Sequence, residues 1–197
     1  MGFRIENRVG VAAPAPMVWD LVSKLEGWPE WTELYTEAGG QLRIGEKLHF
    51  TFRLGDRPPQ SVEGIVYDWV PEAQMAWKVS LYGGLVRSLR YVEIEKLSET
   101  SCILANGDYW TGLLANRMPK PLRRLAQAGF RRMNENAKRL CEARFIAEGG
   151  VPAPADTGLG LEEPIVIQPL MRPTATNPIK YFGSAGRAAL GPKLRKS

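Results

Sequence analysis

Residues that bind transition metals are scarce in this chain. Its 197 residues include only two cysteines, Cys102 and Cys141, and a single histidine, His49. A structural zinc site takes four such ligands, so these three residues do not suffice. Two thiols in a core-forming chain predict reduced, buried cysteines in a cytoplasmic protein rather than a disulfide framework. We therefore expect neither a metal site nor a cofactor.

Several large function classes leave no pattern in the sequence. No apolar run approaches the ~18 residues that a membrane-spanning helix requires. The chain has no glycine-rich phosphate loop, no nucleophile elbow and no zinc-ligand spacing. Motifs that read nucleic-acid bases are also missing, so we expect no nucleic-acid partner. The net charge of +5 permits weak contact with an anionic membrane surface.

What is present is a series of regular elements. Residues 3–11 predict a strand, and residues 14–25 predict a helix that begins at two prolines and ends before Gly27 and Pro29. The stretch PEWTELY, residues 29–35, predicts one short helical turn. Strand patterns separated by turns then follow, in EKLHFTFRLGDR, QSVEGIVYDWV, AQMAWKVSLY, VRSLRYVEIEKL and SCILANGDYWTGL. Six or seven strands at hairpin spacing indicate an antiparallel sheet.

The hydrophobic period changes after the last strand. Residues 119–148 predict one helix, which at 1.5 Å per residue would be ~45 Å long. Such a helix can lie along a whole sheet. Its predicted sheet-facing side is marked by Leu122, Leu125, Gly129, Met133, Ala137 and Leu140.

The last 49 residues differ in composition from the rest. Residues 149–197 hold seven of the fifteen prolines and few large apolar side chains. We therefore divide the chain into a domain of residues 1–148 and a Pro/Gly-rich basic extension of residues 149–197. The extension could wrap the domain or a partner, for instance a second copy in a homodimer.

Four stretches carry a resemblance to a known family. They are VAAPAPMVWDLVSKLEGWPEW, IVYDWVPEAQMAWKV, YVEIEKLSETSCIL and GDYWTGLL. In this order and spacing they resemble the polyketide cyclase/dehydrase branch of the START-like, or SRPBCC, superfamily. The resemblance covers about residues 3–147. The second hairpin departs from the family pattern, because SETS stands where a Gly-Thr pair is common.

The resemblance implies an α+β helix-grip fold. A curved antiparallel sheet of six or seven strands would surround the long C-terminal helix, with two short helices after the first strand. Members bind or transform lipids, sterols, polyketides, quinones and aromatic compounds. Our leading hypothesis is a hydrophobic, aromatic or polycyclic small-molecule ligand, with cofactor-independent cyclase, dehydratase or lyase chemistry. The alternatives are a non-catalytic carrier or sensor for lipid or quinone, and an interaction module that uses the extension.

Two charged residues stand at candidate pocket positions of the second hairpin. If Ile94 lies opposite Leu104, then Arg90 lies opposite Asp108 on the face that the long helix covers. The two would then form an ion pair pointing into the pocket, where it could anchor a ligand or move protons. A slip by one residue would send both charges to solvent instead.

Glu63 and Tyr67 are a second candidate pair for acid–base chemistry. If Phe50 lies opposite Ile65, both side chains point inward, and a carboxyl in an apolar pocket can serve as acid or base. The other register turns Val62, Gly64 and Val66 inward, which buries apolar groups without cost. His49 alternates with Leu48 and Phe50, so we expect it on the outer face of the sheet.

Aromatic side chains are numerous for one domain, with six tryptophans. They either fill a core or line a pocket. Gly129 in the middle of the long helix costs about 1 kcal/mol against alanine, which suggests either room for a ligand or close packing on a strand. The candidate ligand-binding residues are Trp28, Trp31, Phe50, Phe52, Trp77, Tyr82, Trp110, Phe130 and Met133.

Overall fold

The structure is a computed structural model that describes residues 2–152. Its seven strands are Phe3–Val11 (β1), Tyr35–Gly40 (β2), Lys47–Phe52 (β3), Gln60–Val70 (β4), Gln74–Leu81 (β5), Val86–Ser98 (β6) and Ser101–Thr111 (β7). Its helices are Ala15–Val22 (α1), Trp28–Trp31 (α2) and Lys120–Ala147 (α3). Short 3-10 turns cover Leu25–Gly27, Tyr82–Gly84 and Ala115–Arg117. The predicted extension of residues 149–197 lies almost entirely outside the described residues, so its role stays a prediction.

The strands form one antiparallel sheet in the order β1-β7-β6-β5-β4-β3-β2. The sheet curls around the long helix α3, as the helix-grip expectation predicted. All six predicted strands were found, as β1 and β3 to β7, and the seventh strand, β2, was missed. Its residues, YTEAGG, contain two glycines and no apolar alternation, so the pairing with β3 defines this strand.

Helix α3 packs mainly along the edge strand β1, and polar side chains fasten it there. The Asn134 amide donates to the backbone oxygen and the side-chain oxygen of Asn7, both at 3.0 Å. Further along the helix, Lys138 donates to the Gly10 carbonyl at 2.7 Å, and Glu142 accepts the Ala12 N–H at 2.8 Å. These bonds occupy backbone groups next to an edge strand. These bonds hold α3 over β1, so the opposite flank of the helix faces away from this edge strand.

The buried face of α3 differs from the predicted one. The buried residues are Ala126, Phe130, Met133, Asn134, Ala137 and Cys141. Leu125, which we expected at the sheet, is 37% exposed. The helix is therefore rotated by about one residue relative to the predicted side, because the polar bonds of Asn134 and Lys138 orient it toward β1.

Both cysteines are free and buried, as the sequence predicted. Burial raises the pKa of the Cys102 thiol to about 11 and that of Cys141 to about 12. Each thiol therefore stays protonated and unreactive at neutral pH.

The convex face of the sheet has a buried tyrosine that depends on a glycine. Tyr91 on β6 lies across Gly107 on β7, and its hydroxyl accepts from Arg4 Nε at 2.8 Å and donates to Glu6 on β1. A Cβ at Gly107 would stand 2.2 Å from the Tyr91 hydroxyl oxygen. Because Gly107 has no side chain, Tyr91 on β6 can cross β7 and reach Arg4 and Glu6 on β1.

We expect Gly107→Ala to lower the free energy of unfolding by about 1–3 kcal/mol, the usual cost of overpacking. The added methyl group must displace the Tyr91 ring and break its bonds to β1. Urea unfolding measures the change. Gly10→Ala on β1 is the matched control, since nothing lies within 4 Å of its Cβ position. Equal stability of the two variants would contradict the role given to Gly107.

Candidate functional site

A cluster of polar side chains is buried between the sheet and α3. It consists of Ser88 and Arg90 on β6 and of Asn106 and Asp108 on β7, and we call it the buried polar cluster. Arg90 is 6% exposed and Asp108 is 7% exposed. The strand pairs that place them are Arg90 with Asp108, and Ser88 with Trp110. All four side chains point inward because these positions alternate along both strands.

The guanidinium of Arg90 is held by an amide and an aromatic ring. Its terminal nitrogen donates to Asn106 Oδ1 at 3.1 Å, and its central carbon lies 3.7 Å from the centroid of the Phe130 ring on α3. Asn106 in turn donates to the sulfur of Met133 at 3.2 Å. Helix α3 therefore covers the cluster with Phe130 and Met133. The cation over an aromatic face gains an attraction that partly offsets its loss of water.

Asp108 is a buried carboxyl with one hydroxyl donor. Ser88 Oγ donates to Asp108 Oδ1. Burial raises the pKa of Asp108, while the positive charge of Arg90, the hydrogen bond from Ser88 and the nearby Trp110 N–H oppose the rise. The direct ion pair that we expected does not form between these two described residues, because Arg90 donates to Asn106 instead. The two charges still interact across the cluster.

Tyr35 at the start of β2 extends the cluster. Burial raises the pKa of its phenol and Asp108 raises it further, while Arg90 lowers it. The Arg90 guanidinium carbon lies 5.6 Å from the Tyr35 ring centroid. At neutral pH this phenol is protonated and can donate a hydrogen bond. Tyr35 was not among the predicted site residues, because residues 29–35 were predicted to form one short helical turn.

Three buried N–H groups have no hydrogen-bond partner among the described residues. They are Nε of Arg90 and the indole nitrogens of Trp110 and Trp31. Trp110 lies beside Asp108, but its indole nitrogen does not reach hydrogen-bond geometry, although its effect on the Asp108 pKa indicates proximity. A buried donor without an acceptor costs about 1–3 kcal/mol. A ligand that brings hydrogen-bond acceptor atoms would therefore satisfy groups that the domain leaves without a partner.

A groove opens on the flank of α3 that faces away from β1. Its walls are residues 53–59, between β3 and β4, and the residues Leu125, Ala128, Gly129 and Arg132 of α3. Glu33 and Leu34 form its floor, and its volume is about 580 Å³, which is typical of small-molecule sites. Leu34 is buried and directly precedes Tyr35 in the chain, so one lining residue of the groove is covalently joined to a residue beside the buried polar cluster.

Gly129 lies where α3 meets the floor of the groove. A Cβ at this position would stand 3.0 Å from Leu34 Cδ1. The glycine therefore serves close packing on Leu34, which is the second of the two explanations that the sequence left open.

Comparisons with known proteins now identify the fold. No protein-family model matches the chain. Over 72 residues it is 38% identical to a putative polyketide cyclase of Streptomyces cyaneus and 36% identical to one of Streptomyces halstedii. Each match covers 36% of this chain, with 45% of the first relative and 62% of the second. The chain thus spans about half the length of these curated relatives.

Solved structures match over much more of the chain. The Zhui aromatase/cyclase from Streptomyces sp. R1128 superposes with a TM-score of 0.59 at 18% identity, covering 77% of this chain and all of that one. A START superfamily protein from Mycobacterium smegmatis gives 0.58 at 18% identity, covering 72% and 98%. The chain has the START-like fold of the polyketide cyclases. The predicted resemblance and the predicted helix-grip fold are confirmed.

The placement of the predicted site residues can now be judged within this fold. The register predicted for β6 and β7 is confirmed, with Ile94 opposite Leu104 and Arg90 opposite Asp108. Both charges face the interior. Their role in ligand binding or chemistry stays a prediction.

The inward placement of Glu63 and Tyr67 is wrong. Phe50 pairs with Val62 rather than Ile65, so Val62, Gly64 and Val66 turn toward the interior. Both predicted side chains are exposed, and Glu63 pairs with Lys47 at 3.3 Å on the outer surface. Gly64 leaves room for the indole of Trp77, whose Cδ1 lies 2.6 Å from the missing Cβ position.

The aromatic residues of the START-like domain divide into fillers and surface groups. Trp28 is fully buried and packs on Tyr35, Phe50 and Trp77, with ring centroids 4.7, 5.9 and 6.1 Å away. It therefore fills the core instead of lining a pocket, as do Phe50 and Trp77. Tyr82 is 75% exposed in the turn after β5, so its predicted place in the pocket is also wrong.

The remaining predicted residues lie nearer the site. Phe130 and Met133 cover the buried polar cluster, and Trp110 stacks on Phe3 at 5.8 Å. Trp31 and Phe52 are half-buried. His49 is exposed on the outer face, as expected. Whether any of these residues contacts a ligand stays a prediction.

Proposed function

We propose that this domain binds a hydrophobic, aromatic or polycyclic molecule that carries carbonyl or phenol oxygens, and promotes its cyclisation or dehydration without a cofactor. The observation that supports the proposal is the pair of unpartnered buried donors, Arg90 Nε and Trp110 Nε1, on the two strands where Arg90 pairs with Asp108. Acceptor oxygens of a ligand would satisfy both donors. Apolar burial would supply most of the binding free energy, and these donors would set orientation.

The same groups suit proton transfer at a carbon between two carbonyls. The Asp108 carboxylate would take the proton, and the electron pair of the broken C–H bond would pass to the carbonyl oxygen. Arg90 and Trp110 would donate hydrogen bonds to that oxygen as its negative charge develops. Attack of the resulting carbon on a second carbonyl would close a ring, and the proton held by Asp108 would pass to the new alkoxide. Loss of water would follow when Asp108 removes a second proton from the same carbon and the new hydroxyl group leaves with that proton. The raised pKa of Asp108 favours its role as a base, because its conjugate acid holds the proton more firmly.

The ligand would enter through the groove and displace Leu34. This path is supported by the position of Leu34, which lines the groove and directly precedes Tyr35 in the chain. The relatives named above are putative polyketide cyclases and an aromatase/cyclase, which agrees with a substrate of several carbonyl groups.

A comparison of two probes tests the proposal. Anthraquinone and anthracene have the same ring system, but only anthraquinone carries acceptor oxygens. We expect anthraquinone to bind at least about tenfold more tightly by quenching of tryptophan fluorescence, since one or two charge-assisted or indole hydrogen bonds differ. Trp110→Phe keeps the stacking on Phe3 and removes one donor, so the preference should shrink. Equal affinity for both probes in the parent protein would contradict the proposal.

Native mass spectrometry of the purified protein provides an independent measurement. A co-purified small molecule rich in carbonyl or phenol groups would support the proposed substrate class. A saturated lipid in its place would instead favour the carrier alternative.

A further inference from the structure

Three connections of the chain meet at one end of the sheet. Because neighbouring strands are antiparallel throughout, residues 53–59, 82–85 and 112–119 all leave the sheet at the same end. The backbone bond from Leu114 N to Leu85 O, 3.2 Å long, joins two of them. With the flanking residues, we define the basic end as residues 53–59, 82–87 and 111–124. Residues 41–46, 71–73 and 99–100 lie at the opposite end.

The two ends differ strongly in charge. The basic end has one acidic residue, Asp56, and seven basic ones, which are Arg53, Arg57, Arg87, Arg117, Lys120, Arg123 and Arg124. At the opposite end, three connecting segments hold Arg43 against the acidic Glu46, Glu72 and Glu99. Within residues 1–148, basic side chains are therefore gathered at the end where the groove opens, since residues 53–59 also form a wall of the groove.

Large apolar side chains project from the tips of the basic end. Leu113 is 85% exposed, Tyr82 is 75% exposed and Leu85 is 43% exposed. Leu85 and Leu113 flank a common depression with Gly84 and Gly112. Tyr82 adopts φ 53°, a left-handed conformation that a bulky residue rarely takes. A strained tyrosine that points into water gains nothing within the domain, which suggests that its partner lies outside.

We propose that the basic end docks on an anionic lipid surface. Tyr82, Leu85 and Leu113 would enter the headgroup layer, while the surrounding arginines and Lys120 would contact lipid phosphates. Apolar tips within a field of cations are the combination by which peripheral proteins hold to anionic membranes. A complementary protein surface would need a flat, packed patch, whereas these side chains project singly. The docked orientation would present the groove to the membrane.

Vesicle sedimentation with the full chain tests the docking surface. We expect binding to phosphatidylcholine vesicles that contain phosphatidylglycerol, and much weaker binding to phosphatidylcholine alone. Each basic residue near an anionic surface is worth about 1 kcal/mol, or about fivefold. Arg117→Glu/Lys120→Glu should therefore lower the partition coefficient more than about tenfold. Arg131→Glu/Arg139→Glu on the exposed face of α3 is the charge-matched control and should change it far less.

The apolar contribution is tested separately. Tyr82→Ser/Leu113→Ser should weaken binding by about tenfold or more, whereas Ile44→Ser, which alters a 63% exposed residue at the opposite end, should not. A fluorophore on Leu113→Cys should shift to the blue on vesicles, and the same label on Ile44→Cys should not. The native cysteines are buried and will not compete for the label. Equal partition of all variants, or no blue shift at position 113, would overturn the inference.

This docking surface does not depend on the proposed chemistry. The serine variants leave the buried polar cluster intact, so they should keep the preference for anthraquinone over anthracene. Loss of vesicle binding with that preference retained supports docking alone. Retained vesicle binding together with no preference in the parent protein would contradict only the proposed function.

Discussion

Replacing Arg90 with methionine is expected to lower the free energy of unfolding by about 3–5 kcal/mol at neutral pH, because it leaves the Asp108 carboxylate buried without its compensating charge. The double variant Arg90→Met/Asp108→Asn removes both charges and keeps a polar partner for Ser88. It should recover most of the lost stability. Urea unfolding of the parent, the two single variants and the double variant measures the coupling. A double variant as unstable as Arg90→Met would contradict this account of the cluster.

The pH dependence of Arg90→Met follows from the direction of the Asp108 pKa. Burial raises this pKa above its ordinary value of 3.8, and loss of Arg90 removes a contribution that lowers it. The folded variant then takes up a proton before the unfolded chain does. Its stability relative to the parent should therefore rise as the pH falls through the folded pKa toward 3.8. A deficit that stays constant over this range would show that the carboxylate is not its cause.

Stability and ligand binding should separate in the double variant. Arg90→Met/Asp108→Asn is expected to fold, but it lacks the Arg90 donor and the carboxylate. It should bind anthraquinone no more tightly than anthracene. An undiminished preference for anthraquinone would exclude Arg90 and Asp108 as ligand anchors, whatever their role in folding.

Removing the indole of Trp28 is expected to cost about 3–5 kcal/mol of stability, the usual range for a large aromatic residue in a packed core. Trp28 contacts four other rings, including that of Trp31, and donates from Nε1 to the Val22 carbonyl at 2.9 Å. The lost stability has two sources. The variant buries less apolar area, and it leaves a cavity that the packed neighbouring side chains cannot fill. Thermal or urea unfolding of Trp28→Ala provides the measurement.

Trp31→Ala is the matched control for this experiment. Trp31 lies in the same short helix, but it is half-buried and its N–H has no partner among the described residues. We expect its removal to cost less than half as much. Similar, small effects for both variants would indicate that Trp28 lines a void after all.

The register of the β6–β7 hairpin could be predicted from the sequence because the turn between the two strands is short. Strand β6 ends at Ser98 and β7 begins at Ser101, so little freedom remains for slippage. Once Ile94 and Leu104 are paired as apolar neighbours, Arg90 and Asp108 must share the inner face. The sequence alone could thus place two charges in the interior of the domain.

The hairpin of β3 and β4 could not be read in the same way. Seven residues, 53–59, connect the strands, and both registers place alternating apolar residues inward. The pairing was decided by the fit of the Trp77 indole over Gly64, a contact between β4 and β5. Such a contact depends on the shapes of side chains on neighbouring strands, so it cannot be predicted from the hydrophobic periodicity of either strand alone.

By itself the sequence determined the order of the elements apart from β2, and it offered the register that turns Arg90 and Asp108 inward as one of two alternatives. These features follow from local period and turn length, whereas the helix-grip class was implied by the family resemblance. Only the tertiary structure decided that Trp28 fills the core, that α3 turns its polar bonds toward β1 and that the groove opens beside Leu34. The physical reason is that a region becomes packed core or open groove according to the combined volumes of many side chains, which come together from distant parts of the chain.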